Sequence, residues 1–380
     1  MSRPLLANIA DQGFARITVA GERIAGVEIL GELDPEAPHC SGGLIDIQLN
    51  GYAGIDFSAD DLTPKHVTDV LPALWATGVT SFCPTLITNS PEALVRNFRV
   101  LEEARSAFPM VARMIPCYHL EGPYLSPGAS RGAHDKQWMR TPDCDEFARF
   151  QRAAGGRIGI LTLAPELPKA LELTRSAAKA GVRVAISHTD CNPEEIHAAV
   201  DAGATLATHL GNGCPEMINR HRAPIWAQMV REELNASIIC DGFHLPSELV
   251  RIIWRMKAPD KCILITDASH VAGLPAGRYR LVTTDVELLP SGKVVTTDGR
   301  SMAGSSLRMN RAVRNFMTLA CVSLGAALEA AVSTPARFLG RAQVCSRVAA
   351  GEVANLILFR PAAEELAIES CMLAGEQVFP

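Results

Sequence analysis

Val182-Arg-Val-Ala-Ile-Ser-His188 is a short β-branched, apolar run that ends on an imidazole. Three other runs have the same form: Ala112-Arg-Met-Ile-Pro-Cys-Tyr-His-Leu-Glu121, Thr205-Leu-Ala-Thr-His209 and Cys262-Ile-Leu-Ile-Thr-Asp267. In a parallel (β/α) barrel all strand C-termini open onto one face, so residues far apart in sequence converge there. Two imidazoles and a carboxylate make a zinc site with one position left for water. A further aspartate beside that water is a natural proton carrier. The four runs therefore read as a metal-dependent hydrolase.

Working outward, eight apolar segments repeat the pattern: 43–49, 79–83, 114–120, 158–164, 182–187, 206–209, 236–240 and 262–266. They are apolar on both faces, as a sheet buried on both sides requires. Helical spacing of three and four separates them at Pro64–Ala76, Pro91–Ser106, Leu167–Ala180, Pro193–Ala202 and Pro246–Met256. Proline opens several of these helices, and Gly78, Gly181 and Gly203 occupy the stop position. Eight strands with helices between them predict a TIM-type (β/α)8 barrel of the α/β class, with a doubly wound open sheet as the alternative.

The chain ends have another texture. Short alternating segments at 16–19 and 23–27 are matched by 354–359 and 376–379. Neither end can bury a sheet alone, so residues 1–42 and 346–380 are expected to pair into a small β-sandwich domain. The barrel then occupies 43–345, with a β-hairpin insertion near 277–299 that turns at Pro290-Ser-Gly292.

The 380 residues suffice for one large barrel and a small second domain. A net charge of −5 gives no reason to expect nucleic acid or an anionic membrane as partner. There is no signal-peptide pattern at Met1–Asn8, and no apolar run of the roughly 20 residues that span a bilayer. Eleven cysteines, without a C-x-x-C pair, read as reduced thiols in a cytoplasmic protein; Cys83, Cys117, Cys240 and Cys262 lie inside the predicted core strands.

The first strand ends in Gln48-Leu-Asn50, where many metal hydrolases on barrels carry His-x-His for a second metal. Amides are neutral and poor zinc donors. The fourth strand runs into Thr162-Leu-Ala-Pro-Glu166, with no lysine to be carbamylated as a bridge. One metal is therefore expected, held by Glu121, His188 and His209, with Asp267 as catalytic acid/base. Zinc is the first expectation, and iron(II) and cobalt(II) tolerate the same ligands. Loops over the same face carry His134, Asn212, Gly213, Arg220 and His244, a cationic and N–H-rich rim suited to a phosphate or carboxylate. His270 is a weaker candidate, and His39, His66 and His197 carry no assignment.

With these residues in place, the chain resembles the N-acetylglucosamine-6-phosphate deacetylase family of the amidohydrolases. The likeness rests on Gly43-Leu-Ile-Asp-Ile-Gln-Leu-Asn-Gly51, His119-Leu-Glu-Gly-Pro-Tyr124 and Leu161-Thr-Leu-Ala-Pro-Glu166. It continues through Ser187-His-Thr-Asp190, Thr208-His-Leu-Gly-Asn212, Asp241-Gly-Phe-His244, Ile265-Thr-Asp-Ala268 and Ala303-Gly-Ser-Ser-Leu307. Thr334-Pro-Ala-Arg337 and Gly351-Glu-Val-Ala-Asn-Leu356 complete the series. The resemblance implies hydrolysis of the acetamide of an N-acetylated sugar phosphate, a small molecule, to free amine and acetate. It implies that His134, Asn212, Gly213, Arg220 and His244 meet the sugar or its phosphate. It also implies a homodimer in which Arg220 reaches the neighbouring subunit's site.

The substrate loop departs from the family pattern. Gly211-Asn-Gly-Cys214 stands where the family usually has Tyr-Asn-Ala-Met, and Asn219-Arg-His-Arg-Ala223 replaces a Gly-Arg-Glu-Pro-Gly-like stretch. The competing reading follows from that loop: a one-metal amidohydrolase acting on another N-acylated amine, such as an N-acyl amino acid or a different amino sugar. A non-catalytic scaffold is the reading of a different class, and the intact set of Glu121, His188, His209 and Asp267 argues against it.

Overall fold

The computed structural model describes residues 4–281, 284–299, 301–341 and 344–380. Eight parallel strands follow one another in chain order around a barrel: β1 (Leu44–Leu49), β2 (Val79–Ile87), β3 (Tyr118–Glu121), β4 (Ile158–Leu163), β5 (Arg183–Ile186), β6 (Ala204–Ala207), β7 (Asn235–Ile239) and β8 (Cys262–Ile265). Closure comes from a parallel bridge between Leu49 and Ala268 and from Asp267 N–H donating to the Gln48 carbonyl at 3.0 Å. The strands are largely buried on both faces because helices cover the outer one; their apolar residues join one core with the helices, and Asp46, Gln48, His119, Glu121 and Thr162 are buried among them.

Local signals set the helices. Pro193–Asp201 opens with a capping box in which Asn192 and Glu195 satisfy each other's backbone N–H. Gly78, Gly181 and Gly203 end their helices at φ of 80°, 82° and 111°, a backbone that L side chains rarely adopt. The expected helix over 64–76 divides into Pro64–Asp69 and Leu71–Trp75. Pro72 has no N–H to continue the ladder, so the break falls just before it. The expected strand over 114–120 starts only at Tyr118, because Pro109–Met114 is helical and Pro116 intervenes.

Both chain ends build one sheet of seven strands, in the order Glu376–Phe379, Leu366–Leu373, Leu356–Pro361, His39–Gly42, Leu5–Ile9, Gly13–Ala20 and Arg23–Gly31. All its pairs are antiparallel except the parallel pair of Leu5–Ile9 with His39–Gly42. The sheet curls until Arg23 bridges Val353, so the sandwich is one sheet folded over its own core of Ala7, Ile9, Ile17, Ile24 and Leu356. Strand alternation then serves two cores: Leu356 and Leu358 face this one, while Ile357 and Phe359 face the barrel. The insertion after β8 has three strands, Gly277–Leu281, Thr284–Leu288 and Val294–Thr296, with the expected Pro290-Ser-Gly292 turn between the last two. Residues 282 and 283 of the expected hairpin lie outside the described residues.

Candidate active site

Glu121 is the last residue of β3, and His188, His209 and Asp267 each lie two residues beyond β5, β6 and β8. The last three have left-handed backbones, with φ of 47°, 32° and 49°. Such a backbone is disfavoured for a side chain with a Cβ, by about 1–2 kcal/mol each. It turns each chain sharply out of its strand, and the surrounding structure must hold it there.

The three expected ligands meet. Among the described residues, Glu121, His188 and His209 bring one donor atom each within 4.8 Å of the others. His209 Nε2 lies 2.8 Å and His188 Nε2 3.5 Å from Glu121 Oε1. The other ring nitrogens are occupied: His188 Nδ1 pairs with the Ser130 carbonyl at 2.9 Å, and His209 Nδ1 with Ser187 Oγ at 3.2 Å. Both rings therefore present Nε2 to the same point, the arrangement that outer contacts impose on metal-bound histidines. Burial alone would raise the Glu121 carboxyl, yet hydrogen bonds from His188 and His209 hold it well below the usual carboxylate range. An anionic carboxylate and two imidazoles turned inward fit a divalent cation.

Gln48 and Asn50 serve a purpose the sequence reading missed. Gln48 Nε2 donates to both Glu121 Oε1 (2.8 Å) and Asp267 Oδ1 (3.2 Å), and its oxygen accepts from Thr208 Oγ1 at 2.6 Å. Asn50 Nδ2 donates to Asp267 Oδ1 at 2.7 Å. The amides stitch the corner of Glu121, His188 and His209 to the aspartate. The signal was present in their spacing, since alternate residues of β1 point into the barrel mouth beside the other strand ends. Burial, then the nearby Glu121 carboxylate, push Asp267 up to about 6. Beneath the corner, His119 is two residues before Glu121 on the same strand face. It pairs with Thr162 Oγ1 (2.7 Å) and the Ile47 carbonyl (3.2 Å), and burial takes it down to about 4. No sequence signal marks Ser130, whose contribution is a backbone carbonyl.

The cavity above this corner has a volume of about 590 Å³. Of the expected substrate-contacting residues, His134, Asn212 and His244 line it together with Glu121, His188, His209 and Asp267. His134 Nδ1 is held by Thr88 Oγ1 at 3.0 Å, and burial lowers its pKa to about 3, leaving a neutral ring. His244 Nδ1 lies 2.6 Å from Asp241 Oδ2, which leaves Nε2 free for the cavity side. Gly213 and Arg220 do not line the cavity. Gly213 packs against β5: a Cβ there would come 1.8 Å from Ser187 Oγ and 2.6 Å from His188 N. Its Cα therefore packs against the residues that carry His188, and its carbonyl accepts from Thr189 N–H at 3.1 Å. Arg220, His221 and Arg222 are exposed, and Arg222 pairs with Glu194 at 2.7 Å. The wall also includes Cys214, Trp226, Leu281 and Met302, the last two contributed by the insertion and the segment after it. His270 lies 6.2 Å from the Tyr279 ring and outside this cavity.

The sequence profile of the Amidohydrolase family matches residues 43–378. This chain belongs to the amidohydrolase family. Within the family it is 32% identical over 350 residues to N-acetylglucosamine-6-phosphate deacetylase of Mus musculus, covering 89% of this chain and 82% of the mouse protein. The enzyme of the same name from Bacillus subtilis is 31% identical over 325 residues, covering 83% and 79% of the two chains. A mutant N-acetyl-D-glucosamine-6-phosphate deacetylase from Mycobacterium smegmatis, solved in complex with N-acetyl-D-glucosamine-6-phosphate, superposes with a TM-score of 0.89. That match is at 29% identity and covers 99% of each chain. The superposition covers both the barrel and the sheet built from the two termini.

Proposed function

We propose that this protein hydrolyses the acetamide of N-acetylglucosamine-6-phosphate, releasing acetate and the free amine. The observation that carries the reading is the triangle of Glu121, His188 and His209 with Asp267 tied to it through Gln48, on a chain 32% identical to named deacetylases. Glu121, His188 and His209 hold one divalent metal, with zinc favoured by two imidazoles and one carboxylate and iron(II) and cobalt(II) as alternatives. When bound, such an ion polarises the scissile carbonyl and makes water a nucleophile near neutral pH.

The chain's own groups do the rest. Asp267 Oδ1 is taken by Asn50 and Gln48, so Oδ2 is the atom that accepts the proton of the attacking water and returns it to the departing nitrogen. His134, Asn212 and His244, the last oriented by Asp241, contact the sugar or its phosphate. Gly213 acts through His188. Arg220 lies away from its own cavity and serves the cavity of a partner in a homodimer. Exposed Met217, Trp226 and Val230, in or soon after the same loop, suit such an interface. The domain division at 43 and 345 and a cytoplasmic setting complete the reading; eleven free cysteines support the latter. Among the described residues no helix is long and apolar enough to cross a membrane.

The test is amine release from N-acetylglucosamine-6-phosphate, beside the unphosphorylated sugar, by metal-loaded protein. Turnover of the phosphate ester alone is expected. Turnover of neither would move the activity to another N-acylated amine, selected by the altered 211–223 loop.

A further inference from the structure

Glu166 closes the Leu161-Thr-Leu-Ala-Pro-Glu166 motif, and nothing in the reaction above uses it. It stands three residues beyond β4, half-buried, and does not line the cavity. Its two carboxylate oxygens grip the two residues that follow His188. Oε2 accepts from Thr189 Oγ1 at 2.5 Å, and Oε1 accepts from the Asp190 N–H at 2.8 Å.

From there the bonds form a ring. Asp190 Oδ2 accepts from Ser126 Oγ at 2.9 Å, and Ser126 N–H donates to the carbonyl of His188 itself at 2.9 Å. Thr189 N–H donates to the Gly213 carbonyl at 3.1 Å. The segment that begins at Ser126 then supplies the Ser130 carbonyl that orients His188 Nδ1. His188 needs such support, because its φ of 47° is disfavoured for any residue with a side chain.

We propose that Glu166 is a positioning residue for His188: by locking residues 189 and 190 it holds the imidazole at the metal corner. The inference rests on the reading of His188 as a metal ligand. It also ties the segment carrying His134 to the same anchor, since Ser126 and His134 belong to one stretch between β3 and the helix at Cys144–Ala153.

The experiment measures zinc affinity by competition with a chelator on the full chain. Outer contacts of metal ligands are typically worth about 10- to 100-fold in affinity, so Glu166→Ala is expected to weaken zinc binding by about that factor. Glu166→Gln is expected to recover most of it, because its oxygen still accepts from Asp190 and its amide can donate to Thr189. Thr189→Val, which removes one of the two bonds at nearly constant volume, should fall between and serves if the alanine variant does not fold. In cobalt-loaded protein the visible absorption should shift for Glu166→Ala. A buried polar residue elsewhere gives the comparison: Asn97→Ala removes bonds to the Phe57 and Ala59 carbonyls and should lower Tm without altering zinc affinity. Zinc affinity of Glu166→Ala within about twofold of wild type overturns the inference, as does an equal loss in Asn97→Ala. His188→Ala separates the two readings. If it leaves zinc affinity unchanged, the ligand assignment fails; if it abolishes binding while Glu166→Ala does not weaken it, this inference fails alone.

Discussion

At the corner of Glu121, His188 and His209 each side chain is fixed from several sides, whereas across the cavity Glu216 to Arg222 are exposed and carry no helix or strand. Glu121, His188, His209 and Asp267 are all buried at strand ends and are linked through Gln48, Asn50, Ser130 and Ser187. Arg220 has none of this scaffolding; its carbonyl accepts from Trp226, and its neighbour Arg222 is occupied with Glu194. The difference separates two tasks. Bond-breaking needs donor atoms placed to within a fraction of an ångström, which rigid strand ends provide. In the proposed function, choice of substrate falls to a loop without helix or strand, and this loop is where the chain departs from its family pattern.

The contrast predicts that damage to the corner appears in kcat and damage to the loop in KM. Chelation should remove activity entirely, and a divalent metal should restore it with the fold intact by circular dichroism. Asp267→Asn should lose about 10²- to 10⁴-fold in kcat at unchanged metal content, the usual contribution of a proton carrier. If that variant turned over normally, another group would have to carry the proton. Asn50→Leu removes one hydrogen bond to a charged carboxylate, worth about 1.5–3 kcal/mol, and should cost on the order of 10- to 100-fold in kcat. Arg220→Met should raise KM for the phosphate ester by about tenfold with kcat little changed, read from initial rates on both sugars. An effect of Arg220→Met on kcat as large as that of Asn50→Leu would erase the distinction between corner and loop.

The pH profile sharpens the same point with the smallest effect. Asp267 must be ionised to accept a proton, and burial with the Glu121 carboxylate raises its pKa to about 6. Activity should therefore be full above that value and fall about tenfold per pH unit below it. A bound cation favours the ionised form, so the acid limb in holoenzyme should lie at or below about pH 6.

Much of this was legible in the chain. The eight barrel strands stand out because a strand buried on both faces is mostly apolar, and each observed strand overlaps its expected run. The helices at Cys144–Ala153, Pro224–Val230 and Met309–Ala320 were not foreseen. Cys144–Ala153 has only Phe147 and Phe150 buried, so its apolar stripe is thin. Pro224–Val230 spans only seven residues, too few for a clear helical period, and Met309–Ala320 lies beyond the runs that mark the barrel. Gln48 and Asn50 were noticed for the ligands they are not, because an amide's partners are invisible until the strands are placed side by side.

What the sequence determined by itself is the kind of chemistry: which residues end the core strands follows from composition and period alone, and imidazole and carboxylate at such ends imply a metal and a proton carrier. What only the tertiary structure decided is who holds whom. Gln48 meets Glu121 across 73 positions and Asp267 across 219, and Glu166 reaches Thr189 across 23. Such contacts depend on barrel closure and on left-handed turns at His188, His209 and Asp267, set by packing of distant segments. Gly213 shows the same limit: the sequence marks a small residue in a substrate loop, and only the fold shows that a Cβ there would strike the strand end carrying His188.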